Sequence, residues 1–294
     1  MGRKKSLFFG SATAIVTPFW DGQIDYLSFG EMIDHQLGCG TDAIVILGTT
    51  GEASTIYENE RCEIINFAKR KIGARVPLIV GTGSNATSVA IRYSKTAEAL
   101  GADGCLVVTP YYNKATPKGL CKHYKEIAKS VNIPIIMYNV PSRTGVSIPV
   151  EAYKELSAID NIVGVKEASG SLGYITELIQ KYGSCFDFYT GCDELILPTL
   201  ALGGKGTVSV VSNIMPSHVH QLCYEFASGN IKKARELQLY LIPLIKELFA
   251  EVNPIPVKTA LYQMGLCKNE FRLPMCGSTR EKQIVAVLKQ YNLI

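Results

Sequence analysis

Short apolar segments recur along the chain at intervals of about 20 to 35 residues, the length of one strand–helix unit. There are eight: Ala12–Val16, Ala43–Leu47, Leu78–Thr82, Cys105–Thr109, Ile135–Asn139, Ile162–Lys166, Asp187–Thr190 and Gly206–Val210. Several are apolar at both odd and even positions, which marks strands covered on both faces, as in a parallel sheet. Between most of them the apolar residues change to helical spacing, as in Ile64, Ile65, Ala68 and Ile72, or Tyr174, Leu178 and Ile179. Gly73, Gly101 and Gly183 fall where those helices need C-caps. Eight such units without a break in composition predict a (β/α)8 (TIM) barrel. The alternative, a doubly wound sheet, calls for fewer parallel strands and a Gly-rich dinucleotide turn that the chain lacks.

From about Pro216 the strand pattern stops. Ser217–Ala227, Ile231–Val252 and Thr279–Tyr291 read as helices; Pro243 lies inside the long one, and Asn253-Pro254-Ile255-Pro256 must interrupt it. The expected division is a barrel over 1–229 and a helical extension over 230–294. The extension has few strands of its own, so it is expected to lie against the barrel or a neighbouring subunit.

Composition narrows the picture. The 294 residues are 47% hydrophobic and 19% charged, and no apolar run approaches the ~20 residues of a membrane span. A net charge of +4, dispersed along the chain, gives no footprint for nucleic acid. Met1-Gly2-Arg3-Lys4-Lys5-Ser6 fits an acylation pattern, and Leu7 onward resembles a weak secretory segment. Gly10, Ser11 and Thr13 break that segment before the first strand, so neither targeting reading is adopted. Nine cysteines include no Cys-x-x-Cys pair and suit reduced, buried thiols in a cytosolic protein. The four histidines have no metal-ligand motif around them, and Asn85-Ala86-Thr87 is only a formal glycosylation sequon.

Barrel enzymes place their chemistry at the C-terminal ends of the strands. Gly48-Thr49-Thr50-Gly51-Glu52 follows strand two; its glycines and hydroxyls suit a carboxylate or phosphate, or else its Thr or Glu caps the next helix. Gly81-Thr82-Gly83-Ser84-Asn85 lacks the third glycine of a dinucleotide fingerprint, and Gly203–Thr207 is no phosphate loop because glycine follows its lysine. Tyr111 and Tyr112, after strand four, suit an interface, core packing or a proton relay. Tyr138 ends strand five, and Arg143 in the following loop either binds a carboxylate or sits on the surface. Lys166 ends strand six, with a parity that groups it with Ile162 and Gly164 against Val163 and Val165. A buried lysine there loses charge and becomes a nucleophile toward carbonyls. One amine, phenols, threonine hydroxyls and an arginine suit imine chemistry on an oxo acid. Lys258, a rival amine after the Pro-rich break, reads as structural.

These motifs, with Thr13–Phe19, Val165-Lys166-Glu167, Asn253–Lys258 and Arg272-Leu273-Pro274, closely resemble the dihydrodipicolinate synthase family of pyruvate-dependent class I aldolases. The resemblance spans essentially the whole chain. It implies condensation of pyruvate with L-aspartate 4-semialdehyde to 4-hydroxy-tetrahydrodipicolinate, the first committed step of the diaminopimelate/lysine pathway, with no metal or cofactor. It implies that Lys166 forms the Schiff base and that Tyr138, Thr49 and Tyr112 form a proton relay. Thr50 would hold the pyruvate carboxylate. Arg143 would orient the relay and bind the semialdehyde carboxylate, and backbone at Gly191 and Val208 would complete the pocket. Tyr112 would cross a dimer interface, so a homotetramer built as a dimer of dimers is expected. Lysine-inhibited relatives carry a histidine and a glutamate where this chain has Arg61 and Val89, although Asn85 and Tyr111 are retained, and poor lysine inhibition is therefore expected. The sister reading is an N-acetylneuraminate lyase or keto-deoxy-sugar-acid aldolase; Arg143 and the paired Thr49-Thr50 argue against it. A catalytically dead barrel would have lost Lys166, Tyr138 or Arg143, and all three are present.

Overall fold

The computed structural model describes residues 6–294; the Arg3-Lys4-Lys5 cluster and the start of the acylation pattern lie outside them. Each apolar segment is a strand: β1 Gly10–Ala14, β2 Ala43–Ile46, β3 Leu78–Gly81 and β4 Gly104–Val108. The other four are β5 Ile135–Asn139, β6 Ile162–Glu167, β7 Asp187–Thr190 and β8 Gly206–Ser209. Every strand pairs in parallel with its neighbours in the chain, and β1 closes on β8. Closure leaves no edge strand to be protected. A two-residue hairpin, Phe19–Trp20 with Gln23–Ile24, follows β1.

Alternation along the strands separates two cores. Ile44, Val80, Val107, Met137, Val165 and Phe188 face the helices. Ala12, Val45, Ile79, Leu106, Tyr138 and Val208 fill the interior. Phe8 plugs that interior from the side of the strand N-termini: its ring stacks 4.2 Å from Tyr189, whose hydroxyl donates to the Phe8 carbonyl at 2.7 Å. The C-terminal end is left for chemistry.

Two local expectations fail for physical reasons. The first strand lies two residues earlier than Ala12–Val16, because the Val16 N–H turns out of the ladder to the Asn213 side chain at 3.2 Å, and Ile15 and Val16 join the outer core. On β6, Lys166 does not share a face with Ile162. The register shifts between Ile135/Ile162 and Ile136/Gly164, so a bulge absorbs Val163. Ile162 therefore packs outward with Val165, while Gly164 points at Ile136 and Tyr189 inside the barrel. The bulge sets which side of the sheet the lysine occupies.

Gly73 and Gly183 cap the helices Glu58–Ile72 and Leu172–Tyr182, and Gly101 lies one residue past the cap of Thr87–Ala99. The C-terminal helices span Pro216–Ala227, Ile231–Leu248, Ile255–Gln263 and Glu281–Gln290. The long helix accommodates Pro243 and ends at Leu248, four residues before the expected Val252. Its buried stripe, Ala234, Leu237, Leu241, Leu244, Ile245 and Leu248, packs against Pro216–Ala227 and Ile196–Ala201. Burial of each large side chain in that stripe contributes ~1.5–3 kcal/mol. Gln238 adds polar ties, accepting from the Leu197 N–H at 3.0 Å and donating to the Asp193 carbonyl at 3.1 Å. The extension thus reaches the loop after β7. Among the described residues no helix is long and apolar enough to cross a membrane.

Candidate active site

Lys166 is 5% exposed, and its amine lies 4.4 Å from the centroid of the Tyr138 ring, its register partner on β5. None of the ion pairs among the described residues engages it. Burial pulls its pKa down to about 8; Asp193 and Cys192 oppose that fall and Arg143 adds to it. At that value about one amine in ten is neutral at pH 7, where an ordinary lysine has fewer than roughly one in a thousand. Asp193 is fully buried after β7, where its Oδ2 accepts from the Val210 and Val211 N–H groups at 3.0 and 2.8 Å. Burial raises its own pKa to about 6.

Tyr138 is 7% exposed, and burial pushes its phenol up to about 12, against the pull of Arg143 and a hydrogen bond with Thr49. The phenol therefore keeps its proton at neutral pH. Thr50, beside Thr49, accepts from the Asn253 Nδ2 at 3.0 Å, while the Asn253 carbonyl accepts from Arg143 Nη2 at 2.8 Å. One residue of the helical extension thus joins the loops after β2 and β5. Arg143 sits on the short helix Pro141–Thr144, which the proline starts and Gly145, at φ +69°, ends.

Gly191 lies where the lysine needs room. A Cβ on Gly191 would stand 2.6 Å from Lys166 Cε and 2.8 Å from Ala168 Cβ, so only glycine admits the lysine stem. The Gly191 N–H donates to the Glu167 carbonyl at 2.7 Å, and Val208 is fully buried on β8. Tyr112 is different. It is 91% exposed, at φ +70°, and no hydrogen bond among the described residues joins it to Thr49. The single chain brings together Lys166, Tyr138, Thr49, Thr50 and Arg143 and leaves Tyr112 outside.

The turn after β2 does not cap a helix through Glu52. Its carboxylate takes Lys258 at 2.6 Å, with both side chains at most 1% exposed. The Lys258 amine also lies 4.0 Å from the Phe19 ring. Burial lowers its pKa and Glu52 opposes the fall. The rival amine is committed to an ion pair, whereas Lys166 has none among the described residues.

A cavity of about 450 Å³ opens over Thr49, Tyr138 and Arg143 and continues to Arg61, Val89 and Tyr93. A larger groove of about 840 Å³ beside the Glu60–Arg272 ion pair contains no lysine or cysteine among its lining residues. Neither Asn253 nor Asp193 stands out in the sequence as a site residue. Asn253 belongs to a proline-rich break that ends a helix and carries part of the family resemblance but gives Asn253 itself no role, and Asp193 to a loop without a recognisable pattern.

The profile of the Dihydrodipicolinate synthetase family matches residues 7–290. A 4-hydroxy-tetrahydrodipicolinate synthase of Alkaliphilus oremlandii is 46% identical over 290 residues, covering 98% of this chain and all of the relative. The crystal structure of dihydrodipicolinate synthase from Aquifex aeolicus superposes with a TM-score of 0.95 at 45% identity, covering 97% of this chain and 99% of that one. A structure described as the first monomeric dihydrodipicolinate synthase variant has a TM-score of 0.96 at 41% identity, covering 98% of both chains. The chain belongs to the dihydrodipicolinate synthetase family, lyases of the class I aldolase type.

Proposed function

We propose that the chain condenses pyruvate with L-aspartate 4-semialdehyde to 4-hydroxy-tetrahydrodipicolinate through a Schiff base on Lys166. The observation that carries this reading is the buried Lys166 amine over the Tyr138 ring, without an ion-pair partner among the described residues. The neutral amine attacks the pyruvate keto carbon, and water leaves as the imine forms. The iminium withdraws electrons, so a methyl proton is lost and an enamine results. Its carbon attacks the aldehyde, and the aldehyde oxygen takes up a proton. The second substrate's amine then attacks the imine carbon, releasing Lys166 and closing the ring. Tyr138 and Thr49 move the protons. Thr50 holds the pyruvate carboxylate beside backbone at Gly191 and Val208, and Arg143 orients the relay and takes the second carboxylate.

The exposure of Tyr112 fits a relay completed by a second copy, in a homotetramer built as a dimer of dimers. A cytoplasmic location suits the nine free thiols. L-Lysine is a poor inhibitor, because the Arg61 guanidinium and the Val89 isopropyl group on the cavity wall offer its ammonium no acceptor. Sub-millimolar inhibition in a steady-state assay would overturn that part.

The sister reading, an N-acetylneuraminate lyase or keto-deoxy-sugar-acid aldolase, uses the same lysine and tyrosine. Arg143 favours the carboxylate-bearing aldehyde over a polyol. Assays of the semialdehyde and of N-acetylneuraminate decide between them. Arg143→Ala should impair use of the semialdehyde more than imine formation with pyruvate; equal loss of both contradicts its role.

A further inference from the structure

The turn after β2 carries Thr49 and Thr50, and its backbone is strained at both ends. Leu47 enters it at φ +54°, and Glu52 leaves it at φ +52° and ψ +36°. That left-handed conformation is costly for a residue with a Cβ, and it persists only where the surroundings fix it. Within the turn the Gly51 N–H donates to the Gly48 carbonyl and the Glu52 N–H to the Thr49 carbonyl, both at 3.1 Å. The position of Glu52 is thereby passed to the backbone of Thr49.

Glu52 is fixed from the helical extension. Its Oε1 accepts from the Lys258 Nζ at 2.6 Å, and its Oε2 accepts from the Arg272 N–H at 3.4 Å. Lys258 belongs to the helix Ile255–Gln263 and is fully buried, with its amine 4.0 Å from the Phe19 ring and 5.0 Å from the Phe271 ring. Taking both charges of such a pair out of water leaves it no more stabilising, in general, than apolar side chains of the same volume. Its particular contribution is position, since with no water to receive either charge the carboxylate and the ammonium must stay together.

We propose that the Glu52–Lys258 pair is a positioning device for the reaction, a clamp that keeps the strained turn in the conformation that presents Thr49 to Tyr138 and Thr50 to the pyruvate carboxylate. The assignment rests on the roles proposed above for those two hydroxyls. Neither Glu52 nor Lys258 touches substrate in this scheme; both act through the turn. Released from the clamp, the turn relaxes toward ordinary backbone angles, and displacements on the order of 1 Å in such groups cost up to about 100-fold in rate.

Kinetics of the full-length Glu52→Gln/Lys258→Met variant test the role. Ile127→Ala serves as a control for stability alone, because Ile127 is buried near the C-terminal end of the helix Pro117–Ser130, toward the strand N-termini and away from the turn. The double variant should still be trapped by borohydride at saturating pyruvate. Half-maximal trapping should need about tenfold more pyruvate, and kcat with the semialdehyde should fall about tenfold or more. Ile127→Ala should keep wild-type constants. Thr50→Val should raise the pyruvate requirement in wild type and add less to it in the double variant, as expected of groups that act through one another. Should the double variant lose its fold, Glu52→Asp, which keeps the charge but withdraws the carboxylate from Lys258, should show a smaller change in the same direction. Wild-type constants in a folded double variant or in Glu52→Asp, equal changes in Ile127→Ala, or full additivity with Thr50→Val would each overturn this role alone. No adduct in wild type would overturn the function proposed above and this role with it.

Discussion

Lys166 and Tyr138 are register partners on adjacent strands, and the lysine amine lies 4.4 Å from the centroid of the tyrosine ring. Burial acts on the two in opposite directions, bringing the amine down to about 8 and the phenol up to about 12. Near neutrality the phenol stays protonated while a fraction of the amine is free. An acid and a nucleophile are thereby separated by environment, on rigid strands instead of loops.

The depressed amine predicts a pH dependence with a definite sign. Imine formation with pyruvate should quicken as pH rises to about 8 and then level off. Between about 8 and the ordinary 10.5 the unfolded chain binds more protons at Lys166 than the folded one, so this residue's penalty on stability fades as pH rises. The stability advantage of Lys166→Met over wild type should be largest below pH 8 and shrink by roughly 3 kcal/mol by pH 10.5. Urea midpoints across that range measure it; a constant difference contradicts the depressed pKa.

Gly191→Ala places a methyl group against the lysine stem, where the nearest carbon would be 2.6 Å away. Imine formation should fall on the order of 10- to 100-fold, because small displacements of a reacting group are costly. The circular dichroism spectrum should be unchanged. Wild-type trapping rates in this variant would show that the lysine tolerates the displacement.

Asn253→Ala removes the donor to Thr50 but keeps the backbone carbonyl that holds Arg143. Loss of one such bond is worth ~1 kcal/mol, so KM for pyruvate should rise about fivefold with a smaller change in kcat. A fall in kcat alone would place Asn253 in the chemical step and contradict the positioning role.

Lys258→Met strands a buried Glu52 charge and should cost about 3–5 kcal/mol in urea denaturation. Adding Glu52→Gln should recover more than half of that loss, and the double variant should still trap pyruvate on Lys166. A folded double variant that traps nothing would make Lys258 part of the chemistry.

Legibility in the sequence followed the range of the interactions. Strands such as Ile135–Asn139 and Asp187–Thr190 lie where their apolar runs predicted, because a strand covered on both faces marks itself locally. Lys166, Tyr138 and Thr49 stood out because barrel chemistry gathers at strand ends. The bulge at Val163 was hidden, since it is a property of the β5–β6 register and not of either strand alone. Asn253 meets Thr50 across 203 residues, and no local pattern announces such a contact. The Glu52–Lys258 pair spans 206 residues, which is why Glu52 suggested a helix cap and why Lys258, although it read as structural, had no visible partner.

The most direct test is borohydride reduction of the full-length protein in the presence of pyruvate, followed by peptide mass mapping. The account predicts irreversible inactivation and one reduced pyruvyl group, carried by Lys166 and absent in Lys166→Met. No adduct, or an adduct on Lys258, would contradict it.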